Sequence, residues 1–143
     1  MAWWDKLGLG PRLVRPAQVY TAATTPMFAA VGDILLTSIE GEVVGADPIP
    51  GGVGNCSLET GGGDIATAVA IAADLVGQRY SVLTSGGALI VAGPPLGNLQ
   101  EPVMIPDGET IDCTITALTT DPATIEWRMH YLPVSPGAYV ALG

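Results

Sequence analysis

A chain of 143 residues with 48% hydrophobic and 13% charged residues is long enough for one domain that removes roughly 68% of its unfolded surface from water, and too short for two. The charged fraction is well below the ~25% of an ordinary globular protein, so much of the surface is apolar or lightly polar, as in chains that work inside assemblies. The net charge of −9 is unevenly divided: residues 1–20 hold Lys6, Arg12 and Arg15 against Asp5, a balance of +2, and the rest holds Arg79 and Arg128 against the other thirteen of 14 carboxylates, a balance of −11. Such an acidic body argues against direct nucleic-acid binding, which needs cations to displace phosphate counterions.

In chain order, residues 1–25 read as an N-terminal arm and residues 26–143 as the folded domain. Trp3, Trp4 and Leu7 share one face of a short helix at most two turns long, because Gly8, Gly10, Pro11 and Pro16 stop it. Adjacent tryptophans are costly to leave in water, so the arm is expected to dock, either back onto this chain's own core or onto a neighbouring subunit or another protein, with Trp3, Trp4, Leu7, Arg12, Arg15 and Tyr20 as its partner-contact residues in the second case. On this reading, removing residues 1–20 leaves a folded β domain.

From Pro26 the composition changes to strand material. Residues 27–31 and 34–44 are two strands broken at Gly32-Asp33 by a turn or bulge. Residues 47–54 form a Pro/Gly loop, and 55–60 a short strand. Gly61-Gly62-Gly63 is a flexible turn, since neither the lysine of a phosphate-binding loop nor a βαβ setting accompanies it. Residues 64–77 are expected to be a short helical turn or an irregular strand. Ser85-Gly86-Gly87 joins strands 79–84 and 88–92 into a hairpin; 93–101 is a loop, 102–105 a strand, and Pro106-Asp107-Gly108 a tight turn.

The clearest periodicity follows. Ile111, Cys113 and Ile115 alternate with polar residues over 110–117, and Ile125, Trp127, Met129 and Tyr131 do so over 125–131. Period two means a strand with one buried face, and the simplest pairing of these two is a hairpin through the turn at Asp121-Pro122. Together with Ile39 and Val43, these apolar residues form the expected core. About eight short antiparallel strands with an extended N-terminal arm make an all-β protein, a β-sandwich or jelly roll.

Residues for chemistry are sparse. His130 is the chain's one histidine, on the polar side of its strand, without the neighbours of a metal site or the motif of a serine triad. Asp107 with Glu109 and Glu40 with Glu42 lack the spacing of a calcium loop and read as solvated charges. Cys56 and Cys113 are expected to be free and structural, and the Asn55-Cys56-Ser57 sequon unmodified. The expectation is a protein with no catalytic residues, metal or cofactor. No secretory signal or membrane-spanning run is evident, so synthesis in the cytoplasm is expected.

Residues 28–43 (FAAVGDILLTSIEGEV), 76–82 (VGQRYSV) and 125–134 (IEWRMHYLPV) resemble motifs of small structural proteins of tailed bacteriophages, over about residues 28–136. The resemblance implies a jelly-roll cement or decoration protein on the capsid exterior, without enzymatic activity and made in the host cytoplasm. Its partners would be the major capsid protein and its own copies, in a trimer in preference to a dimer, with neither nucleic acid nor membrane bound directly. A carbohydrate-binding adhesin module and a tail-associated structural protein are the alternatives.

Overall fold

The computed structural model describes residues 10–21, 23–61, 63–82, 85–87, 90–91, 102–117 and 123–143. The strands among them are β1 (Arg12–Tyr20), β2 (Thr24–Val31), β3 (Ile34–Val43), β4 (Val53–Thr60), β5 (Gly63–Ala70), β6 (Arg79–Ser81), β7 (Ile90–Val91), β8 (Val103–Ile105), β9 (Thr110–Ala117), β10 (Ala123–Pro133) and β11 (Tyr139–Leu142). They form two antiparallel sheets. One runs β1-β10-β3-β6-β7, with β8 on β3 beside β6; the other runs β11-β2-β9-β4-β5. Inward residues of both sheets build one core, so the protein is all-β and sandwich-like.

The two most periodic strands are not a hairpin. β9 lies between β2 and β4 in the five-stranded sheet, and β10 between β1 and β3 in the six-stranded one. Alternation identifies the face of a strand that is buried but not the strand beside it. Ile111, Cys113 and Ile115 from one sheet, and Ile125, Trp127, Met129 and Tyr131 from the other, are all buried in the shared core together with Ile39 and Val43. The break at Gly32-Asp33 likewise carries the chain from β2 in one sheet to β3 in the other.

The stretch expected to be an arm is in large part structural. Residues 12–20 pair with β10, from Arg12 opposite His130 to Tyr20 opposite Ala123, with a register shift between Arg15 and Gln18. Pro16 sits in that irregularity on an edge strand, where a missing N–H costs no ladder bond. Tyr20 is 1% exposed and belongs to the core. Removing residues 1–20 would therefore strip an edge strand, and the domain begins before residue 26. Trp3, Trp4 and Leu7 lie outside the described residues.

Of the two readings of residues 64–77, a short helical turn or an irregular strand, the second holds for the first part: residues 63–70 form β5 against β4 with two register shifts, the alanines sitting on a sheet edge where tertiary pairing overrides helix propensity. β11 pairs with β2 from Tyr139 opposite Val31 to Leu142 opposite Phe28, and β1, β5 and β11 raise the strand number above eight. Of the expected 79–92 hairpin, the described residues show two antiparallel pairs, Tyr80 opposite Val91 and Ser81 opposite Ile90.

Gly41 sits opposite both Trp127 and Tyr80 in the middle of the six-stranded sheet. The Trp127 ring lies against it, and a Cβ there would stand 2.8 Å from Trp127 Cζ3. Trp127 and Tyr80 flank this gap, with ring centroids 6.4 Å apart. Gly41→Ala is thus expected to lower unfolding free energy by about 1–3 kcal/mol, the cost of overpacking a filled core, in urea denaturation. Gly51→Ala, where nothing lies within 4 Å of the new Cβ, serves as the control and is expected to change stability little.

Candidate functional site on the outer face of the six-stranded sheet

The side chains that alternate with the core residues of β3 and β10 lie on the opposite face of the sheet, in rows that the register defines. Arg128 pairs with Glu40, Glu126 with Glu42, and His130 with Ser38. β1 extends two of these rows with Val14 beside Arg128 and Arg12 beside His130. β6 adds Ser81 beside Glu40 and Arg79 beside Glu42. After a shift between His130 and Tyr131, the face turns apolar, with Leu132 opposite Leu35 and Leu35 opposite Met104.

Glu42 directly opposite Glu126 is a repulsive cross-strand pair, and Arg128 resolves it. Its Nη2 lies 2.8 Å from Glu126 Oε1 and 3.0 Å from Glu42 Oε2, while its Nη1 lies 3.1 Å from Glu40 Oε1. Arg79 approaches Glu42 only to 3.9 Å. Burial works against the Arg128 charge, and the hydrogen bonds it donates to Glu42 and Glu126 overcome that, so its pKa is raised. A guanidinium, with five donors in a fixed planar fork, is suited to serving three carboxylates at once.

Glu40 is the unusual member. It is 6% exposed, and its Oε2 atom is buried with no hydrogen-bond partner. Ser38 and Thr37 beside it are each 4% exposed, so the centre of this solvent-side face is nearly as dry as the core. Ser38 Oγ and His130 Nδ1 are 2.8 Å apart, the first contact of a nucleophile and base. A triad also needs an acid on the far side of the ring, and Glu40 bonds Arg128 rather than His130.

The other carboxylates and the expected arm residues have local work. Asp107 Oδ1 accepts from the Gly32 N–H at 2.7 Å, Asp33 Oδ1 from the Asp107 N–H at 2.9 Å, and Glu109 Oε2 from Thr60 Oγ1 at 2.9 Å. Arg15, expected to contact a partner, is half-buried and donates to Gln18 Oε1 at 2.9 Å, to the Met27 carbonyl at 3.2 Å and to the Gly143 backbone oxygen at 2.5 Å. Tyr20 is in the core. Of the three, Arg12 alone is exposed, and it faces His130. Among the described residues, no three His, Cys, Asp or Glu side chains are placed to hold a metal ion.

In the sequence alone, Glu40 and Glu42 read as solvated charges and His130 as a residue on the polar side of its strand. The signal it lacked was register: Glu-Gly-Glu on one strand and Glu-Trp-Arg-Met-His on the other form an ion cluster only once Glu40 is set opposite Arg128. Compared with known protein families, curated proteins and solved structures, the chain has no significant match.

Two outcomes follow from this electrostatics. Arg128→Met leaves Glu40 buried without its cation and Glu42 facing Glu126 unscreened, and is expected to cost about 2–3 kcal/mol in denaturant titrations, below the 3–5 kcal/mol of a fully buried pair because Arg128 is partly solvated. Burial, and then the nearby Arg12 charge, lower the His130 pKa below its ordinary 6.5, with Glu40 opposing. The unfolded chain therefore binds a proton at this site more readily than the folded one. Stability present above pH 6.5 falls as pH drops through 6.5 towards the lower folded value, and levels off below it. The difference in unfolding free energy between wild type and His130→Gln should shrink across that window; a difference that is flat with pH would contradict the assignment.

Proposed function

We propose that this chain is a virion structural protein: a capsid decoration or cement protein of jelly-roll type, without enzymatic activity, that binds as a homo-oligomer across junctions between capsid subunits and stabilises a tailed-phage head. The resemblance of residues 28–43, 76–82 and 125–134 to such proteins names the class. The two-sheet architecture, the low charge content and the exposed apolar side chains Val31, Met104, Val134 and Tyr139 are compatible with a protein that works by adhering to others.

The observation that carries the reading is the surface around the Arg128 cluster: an ionic patch on the outer side of a sheet that is continued by an apolar side chain, Met104, 49% exposed. The apolar row of Leu132, Leu35 and Met104 beside it offers area to bury, and the net acidity of the body favours a basic partner surface. The outer face of the six-stranded sheet is thus the docking face in this proposal, with Trp3, Trp4 and Leu7 as additional anchors.

Cosedimentation with expanded tailed-phage heads that lack a decoration protein provides the test. The full chain is expected to pellet with heads. Met104→Asp and Leu132→Asp, both in the apolar row of that face, are each expected to weaken binding at least tenfold while leaving the circular dichroism spectrum unchanged. Deletion of residues 1–9, which spares every described strand, is expected to weaken it as well. A full chain that stays in the supernatant, or that binds glycans on an array instead, would overturn the proposal. Undiminished binding by both point variants would remove the docking face from it.

A further inference from the structure

Cys56 and Cys113 are the only two cysteines in the chain. Although 57 residues apart in sequence, their Sγ atoms are 3.7 Å apart, and both side chains are fully buried. They come together through the register of β4 and β9, in which Cys56 lies opposite Ile115 and Leu58 opposite Cys113. Residues two apart on a strand share a face, so the thiols are diagonal neighbours on the inner side of the five-stranded sheet. Packing alone explains one small buried thiol. It does not require the only two thiols to meet.

The contact is a thiol–thiol hydrogen bond that would have to shorten by about 1.7 Å to reach the ~2.05 Å of a disulfide. Diagonal strand neighbours have Cα atoms roughly 7–8 Å apart, at or just beyond the upper end of the range that a disulfide spans. The bond is therefore attainable with a small inward movement of β4 against β9, and it stores strain. Strained disulfides are the readily reduced ones.

We propose that Cys56 and Cys113 form a reversible dithiol–disulfide couple that, in the presence of a small-molecule disulfide oxidant, cross-links β4 to β9 within the core. One cysteine, as its thiolate, attacks a sulfur of the small disulfide, giving a mixed disulfide and releasing one small thiol. The second cysteine then attacks the protein sulfur of that mixed disulfide and releases the other small thiol. The two protein thiols lose two electrons and two protons, and the small disulfide gains both. Formation is slow in the closed fold. The hydrogen bond with Cys56, together with burial, holds the Cys113 pKa well above its ordinary value, so little thiolate is present, and the oxidant enters only when the sheet opens.

The test uses the full wild-type chain equilibrated in reduced and oxidised glutathione at graded ratios, with and without a sub-denaturing concentration of urea to speed opening. Samples are quenched in acid, denatured, alkylated and weighed intact. The expected result is a loss of both alkylation sites together as the ratio becomes oxidising, without a covalent dimer, with a peptide linking Cys56 to Cys113, and with full return of both sites on shifting to the reducing end. The urea midpoint of the oxidised form should lie measurably above that of the reduced form. Two alkylatable thiols persisting at the oxidising limit in the presence of urea would overturn the proposal, as would mixed glutathione adducts that never resolve.

Discussion

Trp127 against Gly41 is the contact on which the six-stranded sheet depends. Trp127 is the largest fully buried side chain of the core, and it projects inward from β10 at the position where β3 has no side chain at all. The ring occupies the space that a Cβ on Gly41 would need, and Tyr80 closes the far side from β6. Three neighbouring strands thereby contribute one large, one absent and one large side chain in a single row. Tyr80 extends the arrangement to the loops: its hydroxyl donates to Asp74 Oδ2 at 2.7 Å, and the Asp74 carbonyl accepts from Ile49 N–H at 2.9 Å, seating Ile49 in the core.

Because side chains alternate, the register that seats Trp127 on Gly41 also determines the outer face one residue away. Setting Trp127 opposite Gly41 places Arg128 opposite Glu40 and Glu126 opposite Glu42. A shift of one residue would bury carboxylates and expose the indole, so the ionic cluster and the core select the same alignment. Neither face is fully satisfied: among the described residues, Trp127 Nε1 and the Tyr20 hydroxyl are buried without a partner on the inner side, as Glu40 Oε2 is on the outer. The inner face gains by burying apolar area, and the outer face bears the desolvation of Glu40 and recovers part of it through Arg128.

The strands with long uninterrupted alternation were readable from composition and period alone. β9 and β10 each expose a polar residue for every apolar one, and their buried residues were identifiable one by one. Their partners were not, since period two is silent about which sheet a strand joins, and a connection of several residues serves a crossover between sheets as well as a hairpin. β1 was hidden for a different reason. Pro16, two arginines and a bulge break its alternation, and those are features that an edge strand tolerates and a central strand does not. β11 has four residues, too few for a period to be recognised. The outer-face site was the least legible part, because burial of Glu40 and Ser38 is created by neighbours on two other strands.

β1 is an edge strand held by more than its pairing with β10. Arg15 ties β1, in one sheet, to the backbone of β2 and of Gly143, in the other, and so closes the open side of the sandwich near that edge. At its start, Gly10 lies so close to the Tyr131 carbonyl that any Cβ would collide with it, and its φ of +75° is one that other residues rarely adopt. The Tyr131 N–H donates to the Pro11 carbonyl at 3.2 Å. The start of β1 is therefore held beside the row of Arg12 and His130 on the outer face. The edge strand is fixed at both ends: Tyr20 packs into the core at one, and Gly10 and Pro11 meet Tyr131 at the other.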